Sequence, residues 1–396
     1  MKKIIILMPS MFIGGAERSL LGLLETIDYS QYDVSLFLYR HEGEFLKFIP
    51  DQVHLLPEMP QYRTFDTPIR YLLCNRKIRF GLRRMLSKVA MWLHTKTTGE
   101  KRGVWMSMQY TARFLQPLLP DIPGEYDLGI MFLGIADTLI NKVQAKKKIT
   151  WNHTDYDTLF PNRFMDLEIY SKVDAVVSVS PACTEKIKAF YPELANKAIT
   201  IENTLAGQFI EQCAKEPQID MLSDETTTLL SIGRFCDAKN FDNVPDICHR
   251  LVEDGLDVKW YLIGYGGDEP LIRQKIAEAG MGDRVIILGK KNNPYPYMRA
   301  CDLYVQPSRY EGKAVTVREA QLLGKPVVIT NYATAGSQLE DGIDGVIVPV
   351  DNVGCAAGIA ALLRDPVRMR QLSENCKKRD YTNRDEIEKI YALMED

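Results

Sequence analysis

A chain of 396 residues is longer than one hydrophobic core sustains, because cores stop growing near ~250–300 residues, so two domains of similar size are expected. A hydrophobic share of 46% beside 26% charged residues excludes disorder on a large scale. The net charge of -3 and pI near 6.1 remove the global electrostatic case for a nucleic-acid partner, and any basic function must be local.

The chain opens on Met1-Lys2-Lys3 and the apolar run Ile4 to Met8, which is too short for a secretory signal and is ended by Pro9. It reads as a buried strand. A loop with Gly14-Gly15 follows, and Ala16 to Ile27 carries Leu20, Leu23 and Leu24 at helical spacing. Further strands are predicted at Val34 to Tyr39, Asp127 to Phe132, Lys148 to Trp151 and Asp174 to Ser180. Short apolar strands alternating with helices imply a parallel sheet.

One segment interrupts this pattern. Between Arg63 and Arg102 fall eleven Lys and Arg but only Asp66 and Glu100. Apolar positions from Ile69 to Trp92 interleave with Arg70, Arg76, Arg79, Arg83, Arg84 and Lys88 at helix-compatible spacing. Such a basic insertion suits an interfacial helix beside anionic lipid, and equally a solvated helix pair packed on the first domain. No stretch approaches the ~18 apolar residues of a membrane span, so a cytoplasmic protein is expected, at most peripheral on the inner face of the membrane.

The same grammar restarts in the second half, with strands predicted at Thr227 to Ile232, Val258 to Gly264, Val285 to Leu288, Leu303 to Pro307, Pro326 to Thr330 and Gly345 to Val348. The boundary falls in the polar region from Leu205 to Ser223. The expected organisation is an N-terminal Rossmann-like domain over 1–208 with a basic insertion at 63–118, and a second Rossmann-like domain over 209–378. The eight cysteines are scattered without zinc or redox spacing and read as small buried hydrophobes in a reducing compartment.

The strongest chemical signal is Ser308 to Ala320, directly after the strand at Leu303, with Glu311 and Glu319 eight positions apart. With a helix starting near Ala314, its first amides favour a phosphate and Glu319 projects further along. A second signal is Ser231-Ile232-Gly233-Arg234-Phe235 at the end of another strand, followed by Lys239. Two fixed cations at a strand end favour an anionic ligand. Asp155 and Asp157 have the spacing of a metal-binding pair but follow Trp151-Asn152-His153-Thr154 instead of emerging from a strand. The Gly14-Gly15 turn lets backbone amides approach a diphosphate, yet lacks the full G-x-G-x-x-G and ribose-binding acid of a dinucleotide enzyme.

Glu311 and Glu319 at this spacing, with Arg234 and Lys239 upstream, resemble the retaining GT-B glycosyltransferases of family 4 (glycosyl transferases group 1), of the bacterial surface-polysaccharide type. The resemblance extends over nearly the whole chain. It implies two doubly wound α/β domains facing across a cleft, with a last helix over 379–396 crossing back to the first domain. It implies Arg234 and Lys239 on the donor diphosphate, Glu319 on the ribose diol, and Glu311 with the amides of Gly312 and Lys313 on the donor sugar. Ala314 and Val315 join that donor site, Gly14 and Gly15 approach the diphosphate, and Gly289 begins the stretch bordering the base. His153 lies in the loop where the family places a histidine against the anomeric carbon, contacting the donor sugar or stabilising charge. Lys313 and Ala314 replace the phenylalanine and glycine common in the motif, which leaves the donor sugar undefined.

The implied reaction moves a hexose from a nucleoside diphosphate, UDP favoured, to an acceptor hydroxyl with retention and no metal or other cofactor. A lipid-linked or cell-surface glycan is the expected acceptor, with an anionic membrane surface met through 63–102. The alternatives are an epimerase or phosphorylase on the same fold, or an inactive glycan-binding partner protein.

Overall fold

The computed structural model describes residues 1–153, 156, 159–217, 220–221, 226–311 and 314–395. These residues divide into two compact units, Met1–Ala206 with Asn383–Asp396, and Gly207–Thr382. The divisions fall at 206/207 and 382/383, against 208/209 expected from the polar boundary and 378/379 implied by the resemblance.

The first unit holds a seven-stranded sheet in the order β3-β2-β1-β4-β5-β6-β7. Its strands are β1 (Lys2–Met8), β2 (Tyr32–Leu38), β3 (His54–Leu55), β4 (Glu125–Met131), β5 (Gln144–Asn152), β6 (Ala175–Ser178) and β7 (Ala198–Thr200). All pair in parallel. Ile4 to Met8 are inaccessible on both faces of the sheet, the signature of a strand covered by helices on each side. β3 and β7 have no counterpart in the sequence reading. They are edge strands of two and three residues, too short to show a period.

Helix α1 (Gly15–Thr26) follows β1, and the basic insertion folds into α2 (Ile69–Cys74), α3 (Ile78–Thr98) and α4 (Val104–Leu115). α3 packs inside out. Its fully buried positions are Gly81, Ser87 and Thr95, while Leu82, Leu86, Val89 and Leu93 are about half exposed. Small buried side chains allow close approach to its neighbours, and the large apolar face is left outside. The chain ends on the helix Ile387–Ala392, which buries Ile387 and Ile390 and stacks Tyr391 on Tyr32 with ring centroids 4.1 Å apart.

The second unit holds a six-stranded parallel sheet, β10-β9-β8-β11-β12-β13. Its strands are β8 (Thr227–Ile232), β9 (Val258–Ile263), β10 (Val285–Gly289), β11 (Leu303–Gln306), β12 (Val327–Thr330) and β13 (Val346–Val348). The helix Val244–Glu253 buries Val244, Ile247, Cys248 and Leu251 against Trp260 and Leu262 of the sheet. Trp260 donates its indole N–H to Ser231 Oγ at 2.9 Å, so this wholly buried ring leaves no polar atom unsatisfied.

The cysteine expectation holds for the five buried residues, whereas Cys74 is exposed and Cys183 and Cys236 are half-buried.

Candidate functional site

In open parallel sheets ligands gather outside the carboxyl ends of the strands, where the strand order reverses. In the second unit that switch lies between β8 and β11, and both sequence signals fall there: Arg234 and Lys239 follow β8, and Glu311 follows β11.

The loop after β8 is held by close backbone contact with the loop after β9. A Cβ on Gly264 would stand 1.9 Å from the Gly233 carbonyl oxygen, and one on Gly266 2.2 Å from that of Phe235, so only glycine fits at either position. The Gly233 amide donates to Ile263 O at 3.0 Å and the Phe235 amide to Tyr265 O at 2.9 Å. Phe235 is thereby drawn into the core and meets Phe241 edge-on, which turns the adjacent Arg234 outward into solvent. No partner for the Arg234 guanidinium is found among the described residues.

A short turn, Asp237–Lys239, ends at Asn240 in the left-handed conformation (φ 59°). Asn240 is buried and donates its amide to Pro307 O at 2.9 Å, tying this loop to the one after β11. Arg309 completes the stitch: its backbone amide donates to Ala238 O at 2.9 Å and its guanidinium grips Asp242 with both nitrogens, at 2.9 and 2.8 Å. Arg309 and Asn240 were not singled out by sequence, because their partners lie about 70 positions away.

With the loops joined, Lys239 Nζ forms an ion pair with Glu311 Oε1. The same carboxylate oxygen accepts from Ser308 Oγ at 2.6 Å, and Ser308 in turn accepts from Gln306 at 2.9 Å. Both charges are largely withdrawn from solvent, with side-chain exposures of 19% and 10%. A lysine and a glutamate 72 positions apart are thus brought to one point.

Glu319 stands on the helix Val315–Leu322, is inaccessible to solvent, and accepts from Tyr295 OH at 2.8 Å. Its helix is linked to the Glu311 loop through Thr316, which donates to Gln306 Oε1 at 3.4 Å. The Ala314 amide donates to Gln338 Oε1 at 2.8 Å, and the Gln338 side chain also donates to the Ala314 carbonyl. Helix geometry leaves Val315 and Thr316 as the next amides at this terminus. Gly312 and Lys313 lie outside the described residues, as do Asp155 and Asp157. Gly289 ends β10 at φ +71°, and its carbonyl accepts from Gly264 at 3.0 Å.

In the first unit His153 follows β5. Its Nε2 lies 2.8 Å from the carbonyl of Phe132, which only accepts, so Nε2 carries the proton and Nδ1 is left as an acceptor. No partner for Nδ1 is found among the described residues. Burial between Phe132 and Trp151 pushes the imidazole pKa down to about 4, against the weaker effect of the carbonyl bond. His153 is therefore neutral near pH 7, with Nδ1 an acceptor that suits a hydroxyl donor. Gly14 caps α1 without a side-chain bond, and the Glu17 carboxylate lies over it: a Cβ on Gly14 would be 2.1 Å from Glu17 Oε2. Burial raises the Glu17 pKa, so the amino end of α1 already faces an acid of its own chain.

Two units, each built on a parallel sheet, have the fold of the GT-B glycosyltransferases. Among solved structures, Anabaena Alr3699/HepE in complex with UDP and glucose superposes with a TM-score of 0.61 at 16% identity, covering 99% of this chain and 100% of that one. S. aureus TarM superposes with a TM-score of 0.62 at 14% identity over 100% and 99%. Residues 214–379, nearly all of the second unit, match the family Glycosyl transferases group 1. A relative from Campylobacter jejuni, N-acetylgalactosamine-N,N'-diacetylbacillosaminyl-diphospho-undecaprenol 4-alpha-N-acetylgalactosaminyltransferase, is 23% identical over 96% of this chain and 94% of its own length. The Rhizobium meliloti lipopolysaccharide core biosynthesis glycosyltransferase LpsE is 24% identical over 54% of this chain and 60% of its own.

Proposed function

We propose that this protein is a retaining glycosyltransferase that moves a hexosyl group from a UDP-sugar to a hydroxyl of a lipid-linked or cell-surface glycan, without a metal. The observation that carries this reading is the junction of Lys239 with Glu311, beside the outward Arg234, at the switch between β8 and β11. As the bond from the anomeric carbon to the diphosphate breaks, negative charge gathers on the leaving oxygen, and Arg234 and Lys239 are the cations that stabilise it.

In this reading the donor exchanges partners within the cluster. Lys239 passes from Glu311 to the diphosphate, and Glu311, still held by Ser308, accepts from the sugar hydroxyls. Glu319 turns from Tyr295 to the ribose diol, and Val315 supplies an amide at the helix start. The acceptor oxygen bonds to the anomeric carbon on the face the diphosphate leaves, and its proton passes to the departing diphosphate oxygen. His153, neutral with Nδ1 as acceptor, suits a hydroxyl of the donor sugar. The choice of UDP follows the UDP in the HepE structure, and the lipid-linked acceptor follows the undecaprenyl diphosphate in the Campylobacter relative's name.

The same reading places the protein on the inner face of the cell membrane. Among the described residues no helix is long and apolar enough to cross a membrane, whereas the outward face of α3 carries Leu82, Leu86, Val89 and Trp92 flanked by Arg79 and Lys88. Such a face suits shallow insertion beside anionic headgroups.

Thermal-shift measurements with UDP, GDP, ADP and CMP test the donor assignment. UDP is expected to raise the melting temperature most, since a ligand at 100 times its Kd adds about 2.7 kcal/mol to the folded state. No shift with any nucleotide would defeat the enzymatic reading. Product anomeric couplings by NMR test retention, and activity undiminished by EDTA tests metal independence.

A further inference from the structure

Gln306 ends β11 and is wholly buried, on a strand whose other members Leu303, Tyr304 and Val305 are inaccessible as well. A buried amide brings donors and an acceptor that must find partners, so its place among apolar neighbours calls for a physical reason. Both of its ends are occupied. Gln306 Oε1 accepts from Tyr304 OH at 2.8 Å and from Thr316 Oγ1 at 3.4 Å, while Nε2 donates to Ser308 Oγ at 2.9 Å.

These bonds run in one direction. A hydroxyl has a single proton, and because Gln306 Nε2 fills an acceptor position on Ser308, that proton goes to Glu311 Oε1 at 2.6 Å. A reversed amide would turn its oxygen to Ser308 and draw the proton away, leaving two oxygens to face each other at 2.6 Å. It would also set the amide oxygen, in place of Nε2, 3.5 Å from the carboxylate. The charge of Glu311 thus selects the orientation of the amide, and the amide selects that of the hydroxyl.

The consequence for Glu311 is one-sided. The contacts from Lys239, Ser308 and Gln306 all reach Oε1, and none of them falls on Oε2. Through Thr316 the same Gln306 side chain also bonds the helix Val315–Leu322 that carries Glu319. One amide therefore links the loop of Glu311 to the helix of Glu319, the two glutamates eight positions apart in the chain.

We propose that Gln306 is a positioning residue for sugar transfer: by directing the Ser308 proton to Glu311 Oε1 it commits that oxygen to the protein and leaves Oε2 to receive the hydroxyls of the donor sugar. The proposal rests on the glycosyl-transfer reading and deepens it, since it names the side chain that aims Glu311. Gln306 acts through Ser308 and does not itself touch the donor.

The test is calorimetric titration of the full chain with UDP and with UDP-glucose, UDP-galactose, UDP-N-acetylglucosamine and UDP-N-acetylgalactosamine. For the tightest of the four, the ratio of its Kd to that of UDP isolates what the sugar adds. Gln306→Met keeps the length of the side chain and removes the amide. It should raise the ratio about fivefold, the scale of one lost hydrogen bond, with the Kd of UDP itself changed by less than about twofold. Gln306→Glu cannot donate to Ser308 and sets a second acid beside Glu311, so it should raise the ratio further. Ser308→Ala removes a single atom at the other end of the relay, and keeps the test open should the Gln306 variants not fold. It should raise the ratio at least as much as Gln306→Met, and the double variant should exceed Ser308→Ala alone by nothing, because one residue acts through the other. A Gln306 that only supports the fold would lower the fraction of protein able to bind and leave the ratio where it was. An unchanged ratio in either single variant, or losses that add in the double variant, would overturn the proposal while leaving the donor assignment intact. An unsubstituted protein that binds neither UDP nor any UDP-sugar would instead remove the reading on which it rests.

Discussion

The two units share one grammar of parallel strands and covering helices, yet their strand ends carry opposite chemistry. In the second unit the loops after β8 and β11 gather Lys239, Glu311, Ser308 and Gln306 into a charged, hydrogen-bonded cluster. In the first, Phe132 after β4, Trp151 near the end of β5 and a neutral His153 after it gather into an aromatic group. The scaffold thus supplies a place for a ligand, and the loop residues decide whether that place is polarised for charge or for hydroxyls.

The helices differ in the same way. The helix Val244–Glu253 turns its apolar stripe inward, whereas α3 turns small and polar residues inward and its large apolar ones outward. An amphipathic pattern reports that a face seeks an apolar partner, without saying whether that partner is the protein's own sheet.

Each side of the comparison can be tested by substitution. The largest effect is expected from Lys239→Met, which removes a cation from the leaving group and should lower kcat about 10²- to 10³-fold, measured as UDP release during transfer. The pair Leu251→Ala and Leu86→Ala comes next. Leu251 is wholly buried, so its truncation should cost about 2–5 kcal/mol in urea melts, whereas Leu86 is 53% exposed and should change stability by no more than ~0.5 kcal/mol. Equal effects would mean that α3 is not inside out.

Replacing Arg79 and Arg83 by Gln should weaken cosedimentation with phosphatidylglycerol vesicles, at about 1 kcal/mol for each cation near the surface. Binding unchanged by the double substitution would defeat the membrane assignment. Arg84 stays out of this test, because its guanidinium anchors the carbonyls of Thr64 and Thr67.

A pH-dependent effect concerns His153. Its folded pKa of about 4 lies below the ordinary 6.5, so the unfolded chain binds the proton more readily between these values. The stability His153 permits is complete above about pH 6.5 and is lost as pH falls toward 4. His153→Asn should flatten the decline of melting temperature over that window; an identical decline would show that the imidazole is not held neutral by burial.

Much of the candidate site was legible because its signals are local. Glu311 and Glu319 share one loop and helix, and Arg234 and Lys239 lie seven residues or fewer beyond a strand end. The capture of the Ala314 amide by Gln338 was not legible, since those residues are 24 positions apart and either could have faced solvent. The same holds for Arg309, whose grip on Asp242 spans 67 positions.

Taken alone, the amino-acid order determined the strand-and-helix alternation, the restart of that alternation in a second unit, and the residue types available at each strand end. Burial periodicity and turn chemistry act within a few residues and are written in the chain itself. Tertiary structure alone decided that Lys239 meets Glu311, that His153 is held as a neutral acceptor, that Arg84 anchors the carbonyls of Thr64 and Thr67, and that α3 presents its apolar face outward. Each of these depends on which distant segment lies opposite, and that is set by how the sheets pair and how the helices pack on them.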